Sequence, residues 1–139
     1  MKILAIDLGK ARTGIAVSDE GELLASPVCV IQEYDRMRLA DRVASVAKEH
    51  RAGLLVLGLP RNMDGSEGES ARSARDFGGL LEEKTGLPVA FQDERGTTVT
   101  AHNYLNQTNT RGRKRKSVVD AVAAVIILQN HLDYRRNCQ

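Results

Sequence analysis

The sequence predicts an α/β fold, a mixed five-stranded sheet flanked by helices on both faces. Three observations carry that prediction. Apolar patterning along the chain follows the order β-β-β-α-β-α-β-α-α. The run LLVLGLP (54–60) is continuously apolar, as a strand covered on both faces should be. The last helix, through AVAAVIIL (121–128), is apolar nearly all round and rich in alanine, which suits close packing on a sheet. An antiparallel opening that feeds right-handed β-α-β crossovers then gives the mixed sheet. No repeat or linker interrupts the 139 residues, so one domain over 1–139 is expected.

Each element has its own signal. KILAIDLG (2–9) is a short run of strand formers ending on Asp7, and TGIAVSDEG (13–21) alternates as a second strand closed by a turn. The link through Gly9, Lys10, Ala11 and Arg12 is short enough for a hairpin. LLASPVCVI (23–31) reads as a third strand whose start is bulged or demoted by Pro27. Asp35 is a cap for a helix with Leu39, Val43, Val46 and Ala47 on one stripe. After the buried strand, RNMDGSEGES (61–70) is a turn-rich loop in which Ser66 or Ser70 is expected to cap the next helix. That helix carries Ala71, Ala74, Phe77, Leu80 and Leu81 and stops at TGLP (85–88). VAFQDE (89–94) is a strand ending in acids, and a short helix through Val99, Tyr104 and Leu105 follows. The polar loop NQTNTRGRKRK (106–116) leads to the last helix, which Ser117 and Asp120 are expected to cap.

Composition excludes several function classes. Charged residues at 27% and hydrophobic residues at 42% describe a globular chain, and a net charge of +2 is too small to announce a polyanion partner by itself. Cys29 and Cys138 lie far apart without metal-ligand spacing, which argues against a disulfide framework or structural zinc. The longest apolar run is far short of a membrane span, so a cytoplasmic protein with no membrane partner is expected. Aromatic residues are scarce and tryptophan is absent, which disfavours base stacking and favours recognition by backbone shape and charge.

The chemistry concentrates in acids that the topology can gather. Asp7 ends the first strand, Asp93 and Glu94 end the last, and Asp120 opens the last helix. Functional groups of open α/β sheets collect beyond the carboxyl ends of the strands. Two carboxylates about 4 Å apart repel by roughly 4 kcal/mol at an effective dielectric near 20, more than a helix cap contributes. Such a cluster therefore calls for protons or cations, and an oxygen-only ligand set suits Mg²⁺ or Mn²⁺. Two such ions support phosphodiester hydrolysis by activating water and stabilising the leaving oxygen.

Four segments, ILAIDLGKARTGIAVSD, VLGLPRNMDGSEG, DERGTTVTAHNYL and RKRKSVVDAVAAVIILQNHLD, resemble in order the YqgF (RuvX) family of ribonuclease H-like proteins. That family is described as Holliday-junction resolvases and as nucleases that process pre-16S ribosomal RNA. The resemblance implies a ribonuclease H-like fold and a metal-dependent nuclease with Asp7, Glu94 and Asp120 as catalytic metal ligands, Asp93 standing beside Glu94 as an alternative. Gly96 departs from the larger apolar residue usual after DER, which leaves the choice between Asp93 and Glu94 open.

Nucleic acid, either structured RNA or branched DNA, is the expected partner of a monomer or weak homodimer. Arg12 in the first hairpin, Arg61 and Asn62 in the loop after the buried strand, and Arg95 after the acids are candidate phosphate contacts. Free N–H groups of the 61–68 loop are a candidate cradle, with Gly9 and Gly65 permitting close approach. Arg113, Lys114, Arg115 and Lys116 form the densest cationic run, and each phosphate they met would add to affinity and to its salt dependence. Two rival readings remain: a non-catalytic nucleic-acid-binding or regulatory protein, and half of an actin-like ATPase, whose phosphate hairpin DLGKARTGIAV also resembles.

Overall fold

The computed structural model describes residues 1–94 and 112–137, with only the backbone described for 112–120. Its elements are β1 (Ile3–Asp7), β2 (Arg12–Ser18), β3 (Ala25–Gln32), α1 (Arg36–Glu49), β4 (Leu54–Leu59), α2 (Glu69–Thr85), β5 (Val89–Asp93) and α3 (Gly112–Asn137). The expected helix through Val99, Tyr104 and Leu105 lies outside the described residues, as does Arg95.

The five strands form one sheet in the order β3-β2-β1-β4-β5. Pairings β1/β2 and β2/β3 are antiparallel, whereas β1/β4 and β4/β5 are parallel. The central strand is thus β1, and Asp7 ends it in the middle of the sheet edge. Pro27 sits on the edge strand β3, where its missing N–H costs least, and the β2/β3 register shifts between Ile15 and Ala16 opposite it.

Alternation along the strands divides the core in two. Leu4, Ile6, Ile15, Leu55 and Leu57 meet Leu39, Val43, Phe77 and Leu81 of α1 and α2 on one face. On the other, Ile3, Ala5, Ala16 and Val56 meet Ala124, Ile127, Leu128 and Leu132 of α3. The small alanines let α3 lie close to the sheet, as its composition predicts.

Asp35 caps α1, accepting from the N–H groups of Met37 at 2.9 Å and Arg38 at 3.2 Å. Two capping expectations fail. Gly68 precedes α2 and no side chain caps that helix. Ser66 is instead turned into its own loop, its hydroxyl donating to Asp64 at 2.6 Å, and Ser70 already lies inside the helix. Nor do Ser117 and Asp120 cap the last helix, because α3 begins at Gly112 and takes in the cationic run. Arginine and lysine are good helix formers, so the cationic run can continue the helix without an apolar face of its own.

Candidate active site

The parallel strands β1, β4 and β5 end side by side, and the α3-facing side of that edge collects the acids. Asp7 follows Ile3 and Ala5 on this face by the strand period of two. Gly58 of β4 follows Leu54 and Val56, and Glu94 stands one position past β5 on the same face as Ala90 and Gln92. The Glu94 N–H donates to the Leu59 carbonyl at 3.2 Å, which extends the β4/β5 ladder just far enough to fix the acid.

Gly58 makes room for that carboxylate. A Cβ built there would lie 2.5 Å from Glu94 Oε2 and 2.7 Å from Ile127 Cδ1. Glu94 therefore lies across the glycine, between the sheet and α3, and is hydrogen-bonded to Asp7. Its carboxyl is pushed up to about 8, chiefly by burial, then by the charge and hydrogen bond of Asp7, and last by the charge of Asp93. At neutral pH the Asp7–Glu94 pair shares a proton. Oxygen donors held this close could hold a divalent ion, which would take the place of that proton and offset both charges.

Asp93 belongs elsewhere. Alternation puts it in phase with Phe91, not with Ala90 and Gln92, and it lines a cleft around the open β5 edge with Arg61 and Arg75 as well as His131 and Tyr134 of α3. Of the two adjacent acids, Glu94 joins Asp7 and Asp93 does not, a separation that a period of two imposes on neighbours in an extended segment.

The third acid is placed by the backbone of α3. Arg135 pairs with Glu22 at 2.7 Å near the start of β1, and Ile127 reaches Gly58 near the end of β4. Running back toward its N-terminus, α3 thus heads for the edge that carries Asp7. Position 120 lies four residues before Ala124 and seven before Ile127, on the helical stripe that meets the sheet. Among the described residues, whose side chains stop short of this position, no three His, Cys, Asp or Glu come together as a metal-binding group.

The candidate phosphate contacts fare differently. Arg12 opens β2 on the face of Gly14, the residue paired with Asp7, so it shares both face and edge with the acids. Arg61 is tied to Glu67 at 3.6 Å and faces the Asp93 cleft. The Asn62 amide donates to Ser66 Oγ at 2.9 Å. The 61–68 loop also uses its own N–H groups: Asn62 donates to the Ser66 carbonyl, Gly65 to the Asn62 carbonyl and Ser66 to Asp64. Those three donors are satisfied within the loop and form no open cradle. Positions 113–116 are helical, and their spacing sets 113 and 116 on the stripe of 120, with 114 and 115 off it.

Gly58 was legible as a site residue but not read as one. A glycine inside an otherwise apolar strand signals close approach of another group, here the Glu94 carboxylate.

A family model described as RuvX, Holliday junction resolvase, matches residues 1–134. The chain belongs to the RuvX family. A relative from Agathobacter rectalis, provisionally named a pre-16S rRNA nuclease, is 39% identical over 140 residues, covering 99% of this chain and 98% of its own. A relative from Lactococcus lactis subsp. cremoris with the same name is 43% identical over 134 residues, covering 95% and 94%. Both descriptions are of nucleases, and RuvX membership makes this chain an enzyme of that kind. Among solved structures, Thermus thermophilus RuvC in complex with a Holliday junction substrate superposes with a TM-score of 0.62 at 16% identity, over 99% of this chain and 96% of that one. The fowlpox virus resolvase, solved with Holliday junction DNA, gives 0.62 at 9% identity over 97% and 99%. These distant likenesses are of fold: the sheet is that of the ribonuclease H-like resolvases, as the sequence predicts.

Proposed function

We propose that this chain is a divalent-cation-dependent nuclease that processes pre-16S ribosomal RNA, with Asp7, Glu94 and Asp120 holding the cation. One observation supports the reading: Glu94 is laid over Gly58 and hydrogen-bonded to Asp7, so two carboxylates meet at the sheet edge. An oxygen-only donor set suits Mg²⁺ or Mn²⁺. When bound, such an ion supplies Lewis acidity toward a phosphodiester and toward attacking water. The chain's own residues do the rest. Asp7 and Glu94 give up their shared proton to bind it, Arg12 at the same edge orients a phosphate, and the helical cations at 113 and 116 draw the nucleic-acid backbone toward position 120.

The names carried by relatives about 40% identical support the ribosomal precursor as substrate. The family description favours branched DNA as a second reading. No helix among the described residues is long and apolar enough to cross a membrane; the rRNA-nuclease names of the relatives support work in the cytoplasm.

Cleavage of two labelled substrates, a pre-16S rRNA fragment and a four-way DNA junction, tests this directly. With Mg²⁺ or Mn²⁺ the RNA should be cut, EDTA should stop the reaction, and Asp7→Asn should lack it. Cutting of the junction alone would move the substrate to branched DNA. Equal activity in Asp7→Asn would remove the acids from the mechanism.

A further inference from the structure

A cleft of about 230 Å³ opens on the opposite, α1–α2 side of the same sheet edge. Lys10 and Arg36 line it, together with Ser70 and Ser73 from the first turns of α2. Arg36 is held in place: one guanidinium nitrogen donates to the Gly9 carbonyl at 2.9 Å, and its carbon stands 6.0 Å from the Phe77 ring centre. Gly9 is itself confined, because a Cβ there would meet the Arg12 carbonyl oxygen at 2.1 Å. The hairpin backbone, the Arg36 head and the start of α2 thus form one built wall.

Lys10 is exposed, and among the described residues neither it nor Ser70 or Ser73 makes a side-chain hydrogen bond or ion pair. A single acid, Glu69, shares the cleft, so two cations and two hydroxyls face one carboxylate. The uncapped start of α2 adds a favourable dipole for an anion. A second basic cleft, beside Lys48, Arg51 and Lys84, lies at the C-terminal ends of α1 and α2, where the dipole opposes an anion.

We propose that the Lys10–Arg36–Ser73 cleft is a second phosphate site, holding a backbone phosphate of the bound nucleic acid where it crosses from the catalytic face to the α1–α2 face. This rests on the nuclease reading above. The residues suit it: an arginine fork and hydroxyl donors take phosphate oxygens, and an unpaired lysine adds charge without a partner to give up. Substrate would then be gripped on both sides of the edge, with the acids between the two grips.

The test measures binding, not cleavage, so that it stands apart from the catalytic assignment. A labelled pre-16S rRNA fragment is titrated into the Asp7→Asn protein in EDTA, alone and combined with Lys10→Gln, Ser73→Glu, Glu69→Gln or Lys2→Gln. Lys2 precedes β1 at the far end of that strand and serves as control. Lys10→Gln should weaken binding by roughly three- to tenfold and reduce the salt slope by about 0.7–0.9, one phosphate contact. Ser73→Glu should weaken it further. Glu69→Gln should tighten it, a gain that loss of fold cannot imitate. In parallel, inorganic phosphate is tested for a rise in Tm that depends on Lys10. If RNA affinity ignores all three cleft variants while phosphate stabilises only the protein that retains Lys10, the ligand is a soluble phosphate and the nucleic-acid assignment is overturned. If Lys10→Gln behaves like Lys2→Gln in both assays, the cleft binds no phosphate. If the parent binds no RNA at all, the proposed function fails, and the phosphate arm alone decides the cleft.

Discussion

Replacing Glu94 by glutamine should stabilise the metal-free protein at alkaline pH, even though it removes a proposed catalytic group. The folded carboxyl titrates near 8, against an ordinary value of 4.5. Because the folded pKa is the higher, the folded state keeps a proton that the unfolded chain releases. The associated stability is fully present below about 4.5 and is lost as pH rises through about 8. At about 1.4 kcal/mol per pH unit the loss approaches roughly 5 kcal/mol, and the Asp7–Glu94 coupling makes roughly 3–5 kcal/mol the working figure. With a urea m-value of about 2 kcal/mol/M, the wild-type midpoint should fall by roughly 2 M relative to the variant between about pH 5 and pH 9. The assay is urea unfolding in EDTA across that range for both proteins. Other titrating groups are common to the two, so their difference isolates Glu94. Addition of Mg²⁺ at alkaline pH should raise the wild-type midpoint and leave Glu94→Gln nearly unmoved. Parallel curves for the two proteins would refute the shared-proton pair and the cation site built on it.

Gly58→Ala should force the Glu94 carboxylate aside, since the new Cβ would sit 2.5 Å from Oε2. A stability cost of about 1–3 kcal/mol is expected from overpacking, with a fall in metal-dependent cleavage of tenfold or more seen in folded protein by circular dichroism and a cleavage assay. Arg113→Gln and Lys116→Gln should each reduce the salt slope of RNA binding by about 0.7–0.9, with Lys114→Gln and Arg115→Gln changing it less; equal effects at all four would argue against a helical arrangement in the complex. Asp35→Ala removes the α1 cap and should cost about 1 kcal/mol in thermal unfolding while leaving kcat unchanged.

Sheet and core follow from patterns with a clear physical cause. The continuous apolar run of β4 needs cover on two faces, and it has α1 and α2 on one side and α3 on the other. Asp7 was readable because a lone carboxylate ending a central strand has no structural reason to be there. The choice between Asp93 and Glu94 was not readable, because it turns on the phase of β5 and on where that strand stops pairing, and Glu94 lies one residue past the end. The start of α3 was misjudged for a similar reason. A cationic segment reads as a solvated loop, yet lysine and arginine propagate a helix whose stability comes from packing further along. The Ser66 cap failed because a short polar side chain bonded within its own turn in preference to the helix start. Lys10 and Arg36 lie 26 positions apart, and only the packing of α1 beside the first hairpin makes them neighbours.

Because the cationic run and position 120 belong to one uninterrupted helix, they are geared together. A loop absorbs an inserted residue by changing course, but a helix converts it into rotation. One alanine added between positions 116 and 117 would turn the cations by about 100° and shift them by about 1.5 Å relative to position 120. Chain length between these groups is then under the same constraint as their chemistry: indels of one or two residues put the charges out of phase with the acid, whereas seven restore the phase and lengthen the arm by about 10 Å. Variation in this segment should therefore be tolerated in residue type more readily than in residue number.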